Sequence, residues 1–151
     1  MSARAAAVAE RLRRLLPAMW LGLMLALGAV AAPSLFGLLD RPSAGRVAGR
    51  LFAIEAQLSL LLCVVLGLIE RARAARLAQG GGGSRFSGEL LLILGALFCT
   101  VLGHHALQPM LEAARAGQGV WSFATLHAAA SGLFGLKALI VAALAWRAAR
   151  P

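Results

Sequence analysis

The fold is decided by residues 90–111, which read LLLILGALFCTVLGHHALQPML and contain no Asp, Glu, Lys or Arg. As a helix, a run of this length covers the ~30 Å of hydrocarbon in a bilayer. Three similar apolar stretches occur at residues 15–39, 47–69 and 123–146. Backbone N–H and C=O groups in lipid must be hydrogen-bonded within the chain, which favours helices. The sequence therefore predicts an all-α, polytopic membrane protein with four transmembrane helices in a bundle.

Composition points the same way. Hydrophobic residues make up 60% of the 151 residues and charged residues only 14%, whereas soluble domains average about 25% charged residues. The net charge of +9 could suggest nucleic acid, but the basic residues mostly flank the apolar stretches and no domain is left to form a basic face. We therefore expect the lipid bilayer, and no nucleic acid, as a partner.

Arginine is distributed unequally between the two predicted membrane faces. Ten arginines precede the first stretch, separate the second from the third, or follow the fourth, and four lie on the opposite side. Positive charge accumulates on the cytoplasmic side of membrane proteins. The sequence thus predicts cytoplasmic N- and C-termini in a bacterial inner (plasma) membrane.

Two features bear on domain organisation. Residues 29–31, Ala-Val-Ala, resemble a signal-peptidase site, but the apolar run continues to Leu39 and Pro33 disfavours cleavage, so we expect a retained helix. Residues 79–84, QGGGGS, predict a flexible loop between two helical hairpins of a single domain. No Gly-Lys-Ser/Thr follows these glycines, which argues against a phosphate-binding loop.

Ionisable side chains inside a membrane span are costly and are therefore functional candidates. Counting helical rise places Glu55, His104 and His127 at a similar depth in the outer half of the membrane. His105 points about 100° away from His104, so His104 is the stronger candidate. Lys137 lies near mid-membrane, and because helical side chains lean toward the N-terminus it should lean toward Glu55 or Ser59.

These positions predict a polar intramembrane cluster of Glu55, His104, Gln108, His127 and Ser131. One interpretation is a site for a metal ion at Glu55, His104 and His127, or a proton relay through the same groups. Another is an interhelical hydrogen-bond network that holds the bundle together. The proximity could also be accidental, and a haem between His104 and His127 is a weaker alternative. The sequence identifies no cofactor.

Several short motifs carry a family resemblance. They are WLG at 20–22, APSLF at 32–36, AGRVAGRLF at 44–52, QPM at 108–110, RAG at 115–117 and FATLH at 123–127. Together they resemble the transmembrane protein 205-like family, small four-helix membrane proteins that in bacteria carry a domain of unknown function. Ala130 and Phe134 stand where that family's pattern has polar residues, so any polar role there would shift to Ser131.

The resemblance implies a membrane location and this topology but supplies no reaction. The resulting hypothesis is a non-enzymatic membrane protein of unknown activity that handles a metal ion or a small solute. The alternative is a structural or accessory membrane subunit with an interhelical polar network. No nucleophile–base pair supports hydrolase or transferase activity. The oligomeric state is open.

Overall fold

The computed structural model describes residues 3–79 and 87–150, which form four long helices and no strand. Helix α1 consists of an α-helical part, Ala3–Leu25, a π-helical segment, Ala26–Ala31, and a second α-helical part, Ala32–Leu38. Helix α2 is Arg41–Gln79. Helix α3 again has a π-helical segment, Val101–Ala106, between α-helical Gly88–Thr100 and Leu107–Arg115. Helix α4 is Phe123–Ala149.

All four helices are long and apolar enough to cross a membrane, as the sequence predicts. They also extend beyond the apolar stretches, most of all at the start of α1 and the end of α2. Charged side chains of the two extensions pair with each other. The distance between Arg13 Nη1 of α1 and Glu70 Oε1 of α2 is 3.9 Å. The predicted loop at residues 79–84 falls largely outside the described residues, which include only its first residue, Gln79, as the end of α2.

Local signals define where the helices begin. Ser87 accepts a hydrogen bond from the Leu90 N–H at the start of α3, and Ser122 accepts one from the Thr125 N–H at the start of α4. Before α2, Asp40 accepts a hydrogen bond from the Ser43 N–H, and this bond lowers the pKa of the Asp40 carboxyl. The turn between α3 and α4 uses Gly117 at a φ of 72°, a conformation that favours glycine.

The helices form an antiparallel ring in which α1 and α3 each pack against α2 and α4. Helices α2 and α4 therefore lie diagonally across from each other. We call the end with the α1–α2 and α3–α4 turns the hairpin end, and the opposite end the terminal end. At the terminal end, Arg147 near the end of α4 bonds Glu89 at the start of α3, with 3.0 Å between Nε and Oε1.

The half of the bundle toward the terminal end is filled by a closely packed core, which we call the packed half. Each helix contributes two side chains that are almost completely buried. These are Trp20, Met24, Cys63, Leu66, Ile93, Ala96, Val141 and Leu144. Apolar packing of this kind fixes the four helices relative to one another. It also supports the polar groups that lie next to it on the side of the hairpin end.

Candidate functional site

A buried ion pair lies at the boundary of the packed half. The Lys137 Nζ of α4 donates to both carboxylate oxygens of Glu55 on α2, at 2.9 and 2.8 Å. The two side chains are 4% and 2% exposed, so the pair is shielded from solvent. It joins the two helices that face each other across the diagonal. The prediction that Lys137 leans toward Glu55 or Ser59 is confirmed, since its Nζ also lies 3.3 Å from Ser59 Oγ.

Ser59 and Trp20 extend this pair into a three-helix network. The Ser59 hydroxyl donates to Glu55 Oε1 at 2.6 Å, and the Trp20 indole N–H of α1 donates to Ser59 Oγ at 3.0 Å. Buried polar groups are costly unless they are hydrogen-bonded. Because both carboxylate oxygens of Glu55 have partners, the pair occupies a fixed position in the bundle.

A cavity of about 430 Å³ begins at this network and extends toward the hairpin end. Its floor is formed by buried Glu55, Lys137 and Thr100. Toward the hairpin end it is lined by Phe36 and Arg115, which are exposed. The cavity thus reaches from a buried polar floor to an open mouth, and we call this part of the bundle the open half. Its size is in the range of small-molecule sites.

The cavity exists because the two hairpins part in the open half. The last segment of α1, Ala32–Leu38, packs mainly on α2, and the last segment of α3, Leu107–Arg115, packs mainly on α4. The π-helical segments Ala26–Ala31 and Val101–Ala106 immediately precede these diverging parts. A π-helical turn changes the rotation of the residues that follow it and is often found at functional sites.

The mouth continues into a second space of about 670 Å³. The two spaces share lining residues, among them Arg115 and His127, and the second adds Arg41 and Arg46 from the start of α2. Arg115 lies over the Phe123 ring with 5.0 Å to its centroid, and that ring stacks on His127 at 5.6 Å. A basic and aromatic entrance therefore leads to the cavity.

All five predicted cluster residues line this one cavity. Glu55 lies at the floor, with Thr100 of α3 beside it, and the walls carry the other four, which are His104, Gln108, His127 and Ser131. His104 is half-buried, whereas His105 is exposed and does not line the cavity. The structure thus brings the predicted residues to a common space, while Glu55 itself is engaged by Lys137.

The predicted metal ligands do not form a compact set. Within residues 3–79 and 87–150, no three His, Cys, Asp or Glu side chains come together in a group that could hold a metal ion. The His104 ring instead contacts that of His105, with 5.1 Å between centroids, and His127 contacts Phe123. The metal ion therefore stays a prediction, with Glu55, His104 and His127 as its ligands. The haem between the two histidines stays a prediction as well.

Sequence reasoning missed two parts of the site. Trp20 belongs to the polar network although it lies in an apolar stretch; a buried indole usually finds a hydrogen-bond acceptor, and that tendency was the available signal. Arg41, Arg46 and Arg115 were counted only as charges that set orientation. Their position at one mouth depends on how the hairpins part, which the sequence pattern does not reveal.

The fold and the site define a polytopic helical membrane protein with a polar cavity inside its bundle. Within that class, the chain belongs to the family described as Domain of unknown function (DUF4149), which matches residues 15–120. The match includes α2 and α3 with Glu55, His104 and Gln108, and ends before α4. By itself it makes no link to the transmembrane protein 205-like family. No curated protein and no solved structure matches the chain.

Proposed function

We propose that this protein is a non-enzymatic membrane protein that binds a small polar solute in the cavity of the open half. The observation that carries the proposal is the continuous path from the exposed mouth to the buried Glu55–Lys137 pair. Along it, His104 and Gln108 of α3 and His127 and Ser131 of α4 offer hydrogen-bond donors and acceptors to the space. The further relation to the transmembrane protein 205-like family, suggested by the sequence motifs, is part of this proposal.

The arrangement favours a solute over a metal ion. Among the described residues that line the cavity, Glu55 is the only carboxylate, and Lys137 already occupies both of its oxygens. A divalent cation there would have to displace an ammonium group from its partner in a buried setting. The hydrogen-bonding side chains along the walls, by contrast, are half-buried or exposed and open to a ligand.

Two glycines provide a matched test. A Cβ added at Gly49 or at Gly22 meets nothing within 4 Å, but only Gly49 lines the cavity. Gly49→Leu should therefore place a larger side chain in the cavity, beginning from a Cβ that meets no neighbour, and Gly22→Leu should leave the cavity open. Thermal unfolding would be measured in detergent with a panel of amino acids, organic acids, sugars, nucleosides and divalent metal ions. We expect one class to stabilise the wild type and Gly22→Leu but not Gly49→Leu.

The outcome that contradicts solute binding is equally clear. No stabilisation by any class, or stabilisation that persists in Gly49→Leu, would remove the cavity as the binding site. Selective stabilisation by a metal ion, lost on replacing His104 and His127 by Ala, would instead restore the metal hypothesis.

A second candidate function is that of a structural or accessory subunit. It is favoured by the Trp20–Ser59–Glu55–Lys137 network, which joins α1, α2 and α4. If this is the function, Ser59→Ala lowers the thermal stability of the protein in detergent. No member of the solute panel then raises the unfolding temperature of the wild type or of any variant. The proposed orientation, with the Arg-rich terminal end in the cytoplasm, is checked by reporter fusions at each terminus.

A further inference from the structure

The cavity mouth combines positive charge from both hairpins. Arg46 belongs to α2 and Arg115 to α3, so their side chains approach the entrance from different hairpins. Arg46 donates to Ser43 and Arg115 lies over Phe123. Throughout the described part of the chain, the ion pairs within 4.0 Å include neither of these arginines nor Arg41.

Among the described residues that line the two spaces, carboxylates offset only part of this positive charge. The cationic lining residues are Arg41, Arg46, Arg115 and Lys137, against Glu55 alone, which leaves three positive charges in excess (four minus one). Lys137 and Glu55 neutralise each other at the floor. Asp40 and Glu112 lie at the same end of the bundle but line neither space. Along with the hydrogen bond from the Ser43 N–H, Arg46 acts on Asp40 and helps to lower the pKa of its carboxyl, but the excess positive charge of the lining itself lies at the mouth.

The wall between the mouth and the floor is aromatic. Phe36, Phe52 and Phe134 all line the cavity, and the Phe52 and Phe134 rings meet edge to face with 5.2 Å between centroids. Aromatic faces bind apolar and aromatic groups well, whereas arginine pairs with carboxylates through two parallel hydrogen bonds. Charge and apolar surface are thus arranged in sequence from the mouth inward.

From this arrangement we infer that the ligand of the cavity is a small organic anion with an apolar body. Its carboxylate lies between Arg46 and Arg115, and its body lies over Phe52 and Phe134. The inference rests on the proposed function and adds the chemical class of the solute. Because Arg46 and Arg115 come from different hairpins, the bound anion also links the two hairpins where they part.

Three compounds of nearly equal shape test the charge requirement, namely benzoate, benzamide and benzylamine. Their dissociation constants would be measured calorimetrically on the full chain in detergent. We expect benzoate to bind about 10-fold or more tightly than the other two, as charge-assisted hydrogen bonds typically provide. Arg46→Gln and Arg115→Gln should each weaken benzoate binding by about 10-fold, and added salt should weaken it as well.

Two variants serve as controls. Arg50 lies one turn after Arg46 but lines neither space, so Arg50→Gln should bind benzoate like the wild type. Arg115→Lys keeps the charge and should retain part of the affinity, which separates loss of charge from misfolding.

The outcomes separate this inference from the proposed function. Equal binding of the three compounds, blocked by Gly49→Leu, would keep the solute cavity and overturn the anion requirement. Failure of benzoate to bind, while another class from the solute panel binds in a way that Gly49→Leu blocks, would overturn it too. Benzoate binding that is unchanged in Arg46→Gln and Arg115→Gln would show that the mouth arginines do not hold the anion.

Discussion

Glu55 and Glu70 lie on the same helix, and both are almost completely buried, at 3% and 2% exposure. In the open half, Glu55 is held by Lys137 and Ser59 through short hydrogen bonds. In the packed half, the Glu70 oxygens have no hydrogen-bond partner among the described residues and are compensated only by Arg13 and Arg73 at 3.9 and 3.7 Å. One carboxylate is fixed in place, and the other is balanced by charge at longer range.

The difference reflects what surrounds each carboxylate. Around Glu70 the neighbouring helices are close-packed. The relative position of these helices is therefore already determined by the core and by the contact between α1 and α2. Around Glu55 the helices begin to part and a cavity replaces the core. There the ion pair itself defines the distance between α2 and α4. A fixed polar pair thus allows the open half to keep an internal space without losing its geometry.

Replacing each glutamate by glutamine should give the largest contrast. Glu55→Gln leaves the Lys137 ammonium buried without a counter-charge, and we expect a loss of about 3–5 kcal/mol in the free energy of unfolding. Glu70→Gln removes only longer attractions, one of them to the partly exposed Arg73, and should change stability by about 1 kcal/mol or less. The free energy of unfolding of both variants would be measured by denaturation in mixed detergent micelles.

The double variant Glu55→Gln/Lys137→Met is the control for this comparison. It removes the unpaired charge and should recover most of the stability lost in Glu55→Gln. Similar losses for Glu55→Gln and Glu70→Gln would show that the two carboxylates are held alike and that the comparison is mistaken.

The Glu55–Lys137 pair could be predicted from the sequence because few alternatives exist in a membrane. Lys137 is the only lysine in the chain and lies in the middle of an apolar stretch, where a charged group needs a partner. Helical geometry then limits its reach to groups that lie toward the hairpin end from its own position, and Glu55 and Ser59 are there. Apolar length was also sufficient to predict the four helices.

The cavity and its entrance could not be predicted in the same way. No periodicity in the sequence VLGHHA marks the π-helical segment Val101–Ala106, which packs against α4. Likewise Arg13 precedes the apolar stretch of α1 and was interpreted only as an orientation signal, whereas the helix continues through it and buries it beside Glu70. Such features follow from tertiary contacts between distant parts of the chain, which local periodicity does not encode.

Two leucines test the difference in packing between the halves. Leu66 is 1% exposed in the packed core, and Leu111 is 5% exposed but borders the cavity. Leu66→Ala opens a new void and should cost about 2 kcal/mol, mainly through lost packing contacts, because lipid is as apolar as leucine. Leu111→Ala only enlarges an existing space and should cost about half as much or less.

Thermal unfolding of the two leucine variants in the same detergent provides the measurement. A greater loss for Leu111→Ala than for Leu66→Ala would mean that the open half, and not the core, stabilises the bundle. The comparison of the two halves would then have to be reversed.

The smallest expected contrast between two matched variants concerns Trp20, whose side chain links the packed core to the polar network. Trp20→Phe keeps an aromatic ring in the core but removes the N–H that donates to Ser59. We expect a loss of about 1 kcal/mol, the usual contribution of one buried hydrogen bond. Trp146→Phe, at a 66% exposed position, should unfold like the wild type. If Trp20→Phe also matched the wild type, the network would consist of Ser59, Glu55 and Lys137 alone, and α1 would contribute only packing.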